Sequence, residues 1–591
     1  MIQFSDIVSM LGGLALFLYG MHMLSASLEK ISGNKLSGIL EKLAGSTWKS
    51  VLLGAGVTAL VQSSGATTVI AVGLVNSGIL KLGQAIGIIM GSNIGTTVTA
   101  HILRLTDVGG GSFFMSLLNP STFAPIMALC GAALVMFSKK SRPRVIGEVM
   151  AAFGILFIGM LTMEESLSGL KDSPVLANLF RTLGGNAVLG ILVGAGVTAL
   201  LQSSSASVGI LQAISSTGAL SWAAAVPIIL GQNIGSTVTS MISVIGASKN
   251  AKRTAISHLY FNVIGTILFT VGILIIRSLG VFDFWEDAID KSGIANFHTI
   301  FNVTMTVLFM PFIHLLEKLC VLTVPSDGTE IDSDTSALDE RLFVTPALAE
   351  KSAATILEKI GALTETALGH ALERLNGDTK TSSDRVHEEV NAIGKMENAL
   401  QSYLQKLSEQ DLLDEEARAV TGLMTRAQDC FRIADHALRI SDTAEDLSAK
   451  GKGLTMAGKR EFALLSAAAR ELLRLSVTGS AADDKRASAG IEPLYAVINE
   501  MTETIQSRHT ERLKSGECSY EAGSLFVGTL IDIERITKHC SNMGVSLALQ
   551  HKTNSLSDDE FARRIHRGDT EHFVEKYIQC KTDYYAPLMN E

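Results

Sequence analysis

Seven apolar runs punctuate the first 320 residues, at about 7–25, 84–103, 122–138, 146–163, 224–246, 255–278 and 298–319. Each approaches the ~20 residues needed to cross hydrocarbon. Few charges fall inside them, which favours membrane helices over buried helices of a soluble protein. The first run lacks a basic leader and a small-residue cleavage site, so it is expected to stay as a membrane helix. Two more apolar stretches, about 50–80 and 190–219, are rich in Gly, Ser and Thr and carry Gln at their centres. Continuous lipid-facing helices suit such sequences poorly, because an interrupted backbone leaves polar groups to satisfy. They are read as broken or re-entrant helices enclosed by protein. Beyond Pro346 the pattern changes to apolar residues every three or four positions among Ala, Leu, Glu, Lys and Arg, with no strand signal. The predicted fold is all-α. A polytopic membrane domain over 1–321 is followed by a linker over 322–345. A soluble helical domain over 346–591 then forms two smaller bundles in series.

Charge sharpens this division. The chain has 591 residues, of which 18% are charged, and a net charge of -9. Before Pro325 there are 18 basic and 13 acidic side chains; after it there are 31 and 45. An apolar, slightly basic half precedes a strongly acidic one, which argues against nucleic acid as a partner. The basic loops Lys139–Arg144 and Lys249–Arg253, with Lys30, Lys35, Lys42 and Lys49, are expected on the cytoplasmic side. The acidic segment Asp283–Asp290 is expected outside. About seven crossings and two re-entrant hairpins then put the N-terminus outside and the C-terminal domain in the cytoplasm. Six scattered cysteines without a CxxC pair fit a reducing compartment.

The most informative feature is an internal duplication. Residues 51–102 align without a gap on 191–242, and about half the positions are identical. Gly54-Ala-Gly-Val-Thr-Ala-Leu-Val-Gln-Ser-Ser-Gly65 matches Gly194-Ala-Gly-Val-Thr-Ala-Leu-Leu-Gln-Ser-Ser-Ser205. Gly91-Ser-Asn-Ile-Gly-Thr-Thr97 matches Gly231-Gln-Asn-Ile-Gly-Ser-Thr237. An odd number of crossings between the copies would invert one relative to the other. The two repeats, about 1–138 and 139–321, would then be the inverted halves of a secondary transporter.

Gln-Ser-Ser at a helix break offers hydroxyls, an amide and freed backbone groups. Helix N-termini present N–H groups to an anion, and Asn, Gln, Ser and Thr oxygens suit Na⁺. Neither motif holds Lys or Arg, so neutral donors with a sodium counter-charge are expected rather than a fixed cationic trap. Glycines 54, 56, 194 and 196 are read mainly as packing residues. His258-Leu-Tyr-Phe-Asn262 and His298-Thr-Ile-Phe-Asn302 form a shorter pair, each placing a His and an Asn on one helix face. Hydrogen bonding between helices is the plain reading of that pair, and a proton-coupled role the sharper one. Gly54-x-Gly56-x-x-Ala59 follows no strand and is no dinucleotide fingerprint, and there is no Walker A motif or Gly-x-Ser-x-Gly elbow. No catalytic residues and no enzyme activity are expected.

The duplicated Gln-Ser-Ser, each followed by Gly-x-Asn-Ile-Gly-(Thr/Ser)-Thr, resembles the type II sodium/phosphate cotransporter family over roughly residues 1–320. That resemblance implies sodium-coupled transport of inorganic phosphate by alternating access. It implies a phosphate site from Ser63, Ser64, Gly65, Gln202, Ser203, Ser204 and Ser205. Sodium ligands would come from Gln62, Thr67, Asn93, Thr97, Ser207, Asn233 and Thr237. Gly65 departs from the pattern of the second copy by lacking a hydroxyl. The C-terminal part resembles the PhoU-like domain of bacterial members, through Asp429-x-x-Arg432-Ile-Ala-Asp435-His436 and Asp532-Ile-Glu534-Arg535-Ile-Thr-Lys538-His539. The resemblance implies a regulatory motif at Asp429, Arg432, Asp435, Asp532, Glu534 and Arg535. PhoU-like domains can bind metal clusters, but Phe431 and Lys538 stand at acidic positions of that pattern. A regulatory role is therefore expected rather than a multinuclear metal site. The expected partners are phosphate, sodium ions and the lipid bilayer of the cytoplasmic membrane, with no organic cofactor; a homodimer is compatible. Phosphate export and membrane phosphate sensing are the alternatives.

Overall fold

The structure, a computed structural model, describes residues 4–590 except 44–46, 108–119, 169–173, 281–282, 326–334, 336, 378–381, 450–453, 483–484, 551, 553–555 and 570–571. Most of the expected linker therefore lies outside the described residues. Every regular element among those described is helical, with one isolated bridge between Ser221 and Ala288. The chain forms two compact units. The first holds Met1–Asp332 and Asp339–Leu348; the second holds Ser333–Leu338 and Ala349–Glu591.

The first unit runs α1 (Phe4–Leu43), α2 (Thr47–Val61), α3 (Ser64–Asn76), α4 (Leu82–Leu103), α5 (Pro120–Phe137), α6 (Ser141–Ser168) and α7 (Pro174–Gly185). It continues with α8 (Ala187–Leu201), α9 (Ser204–Ser215), α10 (Trp222–Gly235), α11 (Thr237–Ser243), α12 (Lys249–Ser278), α13 (Lys291–Phe309) and α14 (Ile313–Thr323). Five helical segments among the described residues are long and apolar enough to cross a membrane: 4–31, 82–103, 142–167, 249–278 and 291–323. Two of the seven runs of the sequence are not among these five. Among the described residues, the run at 122–138 is an apolar helix over 121–137. The run at 224–246 splits at Ser236, where the Ser236 and Thr237 hydroxyls donate to the carbonyls of Asn233 and Ile234. Such back-bonding competes with the helix's own amide ladder. A further bent pair, 178–185 with 187–201, turns by 111° at Asn186.

Glycine sets how closely the duplicated helices pack. A Cβ on Gly54 of α2 would fall on the Ile88 carbonyl of α4, and one on Gly194 of α8 would fall on the Ile228 carbonyl of α10. Gly56 and Gly196 face open space and have no such role.

After α14, a 3₁₀ turn at Glu340–Val344 is strapped onto the first unit. Leu342 is fully buried and meets α3 at Gly73. Arg341 donates to the carbonyls of Ser243 (2.6 Å) and Ile245 (3.4 Å) and pairs with Asp339 at 3.0 Å.

Among its described residues the second unit has six long helices: α15 (Pro346–Leu375), α16 (Ser383–Ser408), α17 (Asp414–Ala449), α18 (Met456–Ala482), α19 (Lys485–Lys514) and α20 (Tyr520–Gln550). Consecutive helices form two sets of three, and α17 of the first packs along α20 of the second. Apolar stripes at helical spacing make the core, among them Ile433, Ala437, Ile440, Ile533, Ile536 and Cys540. Burial pushes the Cys430 thiol up to about 12 and raises that of Cys540 as well, so both behave as apolar core residues. Glu461 is buried and accepts both Arg512 Nη1 (3.0 Å) and Nη2 (2.6 Å). Removing one partner of a buried pair costs about 3–5 kcal/mol. Glu461→Ala is therefore expected to lower the unfolding temperature of the second unit by roughly 10 °C. Scanning calorimetry of the full chain in detergent checks this.

Candidate functional site

Each duplicated apolar stretch breaks at its Gln-Ser pair. Gln62 has φ 58° and Gln202 has φ 52°, both left-handed. A non-glycine residue held there costs on the order of 1 kcal/mol, so the same outlier at matched positions marks a built feature. The following serines take extended backbone and cap the next helix. Ser63 Oγ accepts from Ala66 N at 3.1 Å, and Ser203 Oγ accepts from Ala206 N at 3.2 Å. Beneath each break a hydroxyl pair joins the two helices: Thr58 to Thr67 and Thr198 to Ser207, both at 2.9 Å.

The N-termini of α3 and α9 meet. Ser64 Oγ and Ser204 Oγ lie 3.4 Å apart, although 140 positions separate them in sequence. They open on a cavity of about 380 Å³. Gln62, Ser63, Ser64, Gly65, Gln202, Ser203, Ser204 and Ser205 line it, together with His22 and Ser25 of α1, Ser236 and Thr239. Among the described residues, its lining includes no Lys or Arg. Two helix N-termini and a ring of hydroxyls thus face one small chamber, an arrangement able to receive an oxyanion.

The structure separates the expected sodium residues from this lining. Gln62 lines the cavity, but Thr67, Asn93, Thr97, Ser207, Asn233 and Thr237 are not among the lining residues. Asn93 and Asn233 donate to the carbonyls of Ile89 and Ile229, and Thr97 and Thr237 to those of Ile94 and Ile234. Local bonds within the helices satisfy these donors.

Positions 65 and 205 both face the other repeat. Ser205 Oγ donates to Thr99 Oγ1 at 3.4 Å, and Thr99 in turn donates to Gln62 Oε1 at 2.8 Å. Thr239 is the duplicate of Thr99, and its methyl group would stand 3.4 Å from a Cβ at position 65. Position 205 thus faces Thr99 through a hydroxyl pair, and position 65 faces Thr239 at a distance where a Cβ would make ordinary van der Waals contact. Gln62 is buried by its bond to Thr99, whereas Gln202 is exposed to the cavity.

Sequence reasoning missed His22, Ser25, Thr99 and Thr239, which come from helices outside the Gln-Ser-Ser segments. It also missed a buried ion pair. Lys291, 2% exposed, reaches Glu164 at 2.8 Å, while its carbonyl accepts from Gln212 of α9. Gln212 donates to the Ala100 carbonyl as well, so this group steadies the helix that carries Ser204. The available signal was a lysine at the edge of an apolar run, directly after the Asp290 cap.

A family profile described as Na⁺/Pi-cotransporter matches residues 16–165 and 158–282. The first unit belongs to the Na⁺/Pi-cotransporter family. A second profile, the PhoU domain, matches residues 357–444. Escherichia coli K12 YjbB, a protein named for inorganic phosphate export, is 23% identical over 564 residues, 94% of this chain and 99% of that one. The rat protein named sodium-dependent phosphate transport protein 2A is 33% identical over 172 residues, 28% of this chain and 25% of its own. Bacillus subtilis YqeW is 27% identical over 310 residues, 52% of this chain and 95% of that one. No solved structure matches.

In the PhoU-carrying unit the expected regulatory residues form a reciprocal arrangement. His539 Nδ1 meets Asp429 Oδ1 at 2.7 Å, and His436 Nδ1 meets Asp532 Oδ1 at 2.8 Å, with the two rings 6.1 Å apart. Asp435 pairs with Arg439, whereas Arg432, Glu534 and Arg535 are exposed. Lys538 lies over the Tyr495 ring. Among the described residues no group of three or more His, Cys, Asp or Glu is arranged to hold a metal ion.

Proposed function

We propose that this chain is a sodium-coupled transporter of inorganic phosphate in the cytoplasmic membrane. The observation that carries this reading is the meeting of two broken-helix N-termini, through Ser64 and Ser204, on one chamber without a fixed cation. A phosphate dianion there is held by hydroxyls, backbone N–H groups and helix dipoles. Its remaining charge is matched by Na⁺ bound at Gln62 and at oxygens of the surrounding repeat. Each ion lowers the desolvation cost of the other, which couples their movement.

The repeats act as inverted halves with re-entrant tips, rocking about the Ser64–Ser204 contact to open the chamber to each side in turn. Supporting this are the matched left-handed breaks and the exchange of Thr99 and Thr239 between halves. The burial of Gln62 against the exposure of Gln202 fits one side of such a rocking pair. A cytoplasmic PhoU-carrying unit is supported by the basic loops at Lys139–Arg144 and Lys249–Arg253, through the positive-inside rule. Phosphate uptake into proteoliposomes, with and without an inward sodium gradient, tests the proposal. Uptake unaffected by sodium would remove the coupling, and no uptake in either condition would remove transport. Export is a second reading, favoured by the similarity to YjbB across nearly the whole of both chains. A symporter follows its gradients, so phosphate efflux from loaded vesicles measures that direction in the same system.

Regulation by the PhoU-carrying unit would act through the 339–345 strap, because Leu342 rests on the helix that begins at Ser64. Leu342→Ala is expected to change the maximal transport rate several-fold with little change in the phosphate concentration at half-saturation. A rate unchanged within error would remove this route.

A further inference from the structure

Two matched strips of the first unit lie outside the Gln-Ser-Ser chamber. His258, Asn262 and Thr266 on α12 repeat at the same spacing as His298, Asn302 and Thr306 on α13. Thr266 donates to the Leu230 carbonyl at 3.4 Å and Thr306 to the Met90 carbonyl at 3.3 Å. Met90 and Leu230 are the same position of the duplicated segment. Each strip therefore docks on an equivalent place in one of the two repeats.

The bonding in both strips leaves acceptors over. Asn262 Nδ2 donates to the His258 carbonyl and Asn302 Nδ2 to the His298 carbonyl, which fixes both amides with Oδ1 turned away. Ser240 gives its one hydroxyl proton to the Thr237 carbonyl at 2.7 Å, so His258 Nδ1, 3.1 Å from Ser240 Oγ, must be the donor. His258 Nε2 then keeps a bare lone pair. Asn233 Oδ1 can only accept, so His298 Nε2 donates to it and His298 Nδ1 is likewise bare. These four residues are at most 2% exposed, and His258 Nε2, Asn262 Oδ1, His298 Nδ1 and Asn302 Oδ1 have no hydrogen-bond partner. Buried polar atoms are nearly always satisfied, so such a set calls for an occupant. All four are acceptors, which disfavours an anion. A His nitrogen and an Asn oxygen one turn apart share a helix face.

We propose that His258/Asn262 and His298/Asn302 are two further positions for a monovalent metal cation, Na⁺ in the transport cycle, with the asparagine oxygens as its principal ligands. This rests on the sodium-coupled reading above. Amide oxygen is a hard donor suited to Na⁺. A proton on the ring would serve only one atom of each pair.

The test is binding of ²²Na⁺ to the purified full-length protein in detergent, without phosphate and with choline as the replacing ion. Asn262→Leu and Asn302→Leu are each expected to weaken sodium affinity at least tenfold. Phosphate binding at saturating sodium should be retained. Asn302→Asp, which adds a negative charge at the ligand position, is expected to tighten sodium binding and serves if a Leu variant does not fold. Unchanged affinity in all three variants overturns the inference and leaves water as the occupant. A pH-dependent but sodium-independent response assigns the rings to protons and overturns it too. If the wild-type protein binds no sodium, the coupled-transport reading falls with it. If it does bind and the variants bind equally, only this inference falls.

Discussion

Alanine at both Ser64 and Ser204 is expected to reduce sodium-dependent phosphate transport by two to four orders of magnitude. A hydrogen bond to a charged group contributes about 1.5–3 kcal/mol. Losing two at one anion therefore costs roughly 3–6 kcal/mol, about a factor of ten for each 1.4 kcal/mol. The two hydroxyls are 3.4 Å apart and face one chamber, so on the proposed reading they hold the same ligand. The single variants should be unequal to the double by more than additivity predicts, since either serine can partly replace the other. Ser63→Ala and Ser203→Ala probe a different role. Each removes a helix cap worth ~1 kcal/mol, so they should lower thermal stability as well as transport. Initial rates in proteoliposomes, paired with melting curves, separate the two effects. Transport by the Ser64/Ser204 double variant within tenfold of wild type would move the phosphate site elsewhere.

Gly194→Leu is expected to prevent folding of the first unit, and Gly54→Leu to do the same. The closest atoms to an added Cβ are main-chain atoms of Ile228 and Ile88, and backbone cannot step aside as a flexible side chain can. Packing that includes two helices must open, at a cost well beyond the 1–3 kcal/mol typical of overpacking. Gly56→Leu and Gly196→Leu are the controls, because nothing lies within 4 Å of an added Cβ there. The readout is the yield of monodisperse protein after detergent extraction. Equal yields for the Gly194 and Gly196 variants would show that α8 and α10 do not pack this closely.

These glycines show how sequence and structure divide the work. The duplication exposed Gly54, Gly56, Gly194 and Gly196 as a set, and one packing role was expected for all four. Two residues along a helix is a turn of about 200°, so Gly56 faces away from the surface that Gly54 serves. Only the position of the neighbouring helix decides which of the two is constrained. The residues expected to bind sodium follow the same logic. Asn93 and Asn233 were legible as polar groups in an apolar setting, yet their amides turn back onto their own helices. Thr99 and Thr239 were unreadable because their partners lie far along the chain: Gln62 and Gln202 are 37 positions away, and Ser205, which reaches Thr99, lies in the other copy.

Sequence alone determined the class of this protein. Spanning-length apolar runs, the charge step at Pro325 and a fifty-residue duplication with polar centres depend on composition and local spacing, which the chain carries wherever it folds. The helix breaks at Gln62 and Gln202 belong to that set, since Gln-Ser-Ser amid Gly and Thr favours capping over continuation. Tertiary structure decided what the breaks face. The Ser64–Ser204 contact, the Thr99 and Thr239 exchange and the buried acceptors of Asn262 and Asn302 all join residues distant in the chain. Their energies come from close packing and from polar groups kept out of water, and neither can be assigned until the neighbours are known.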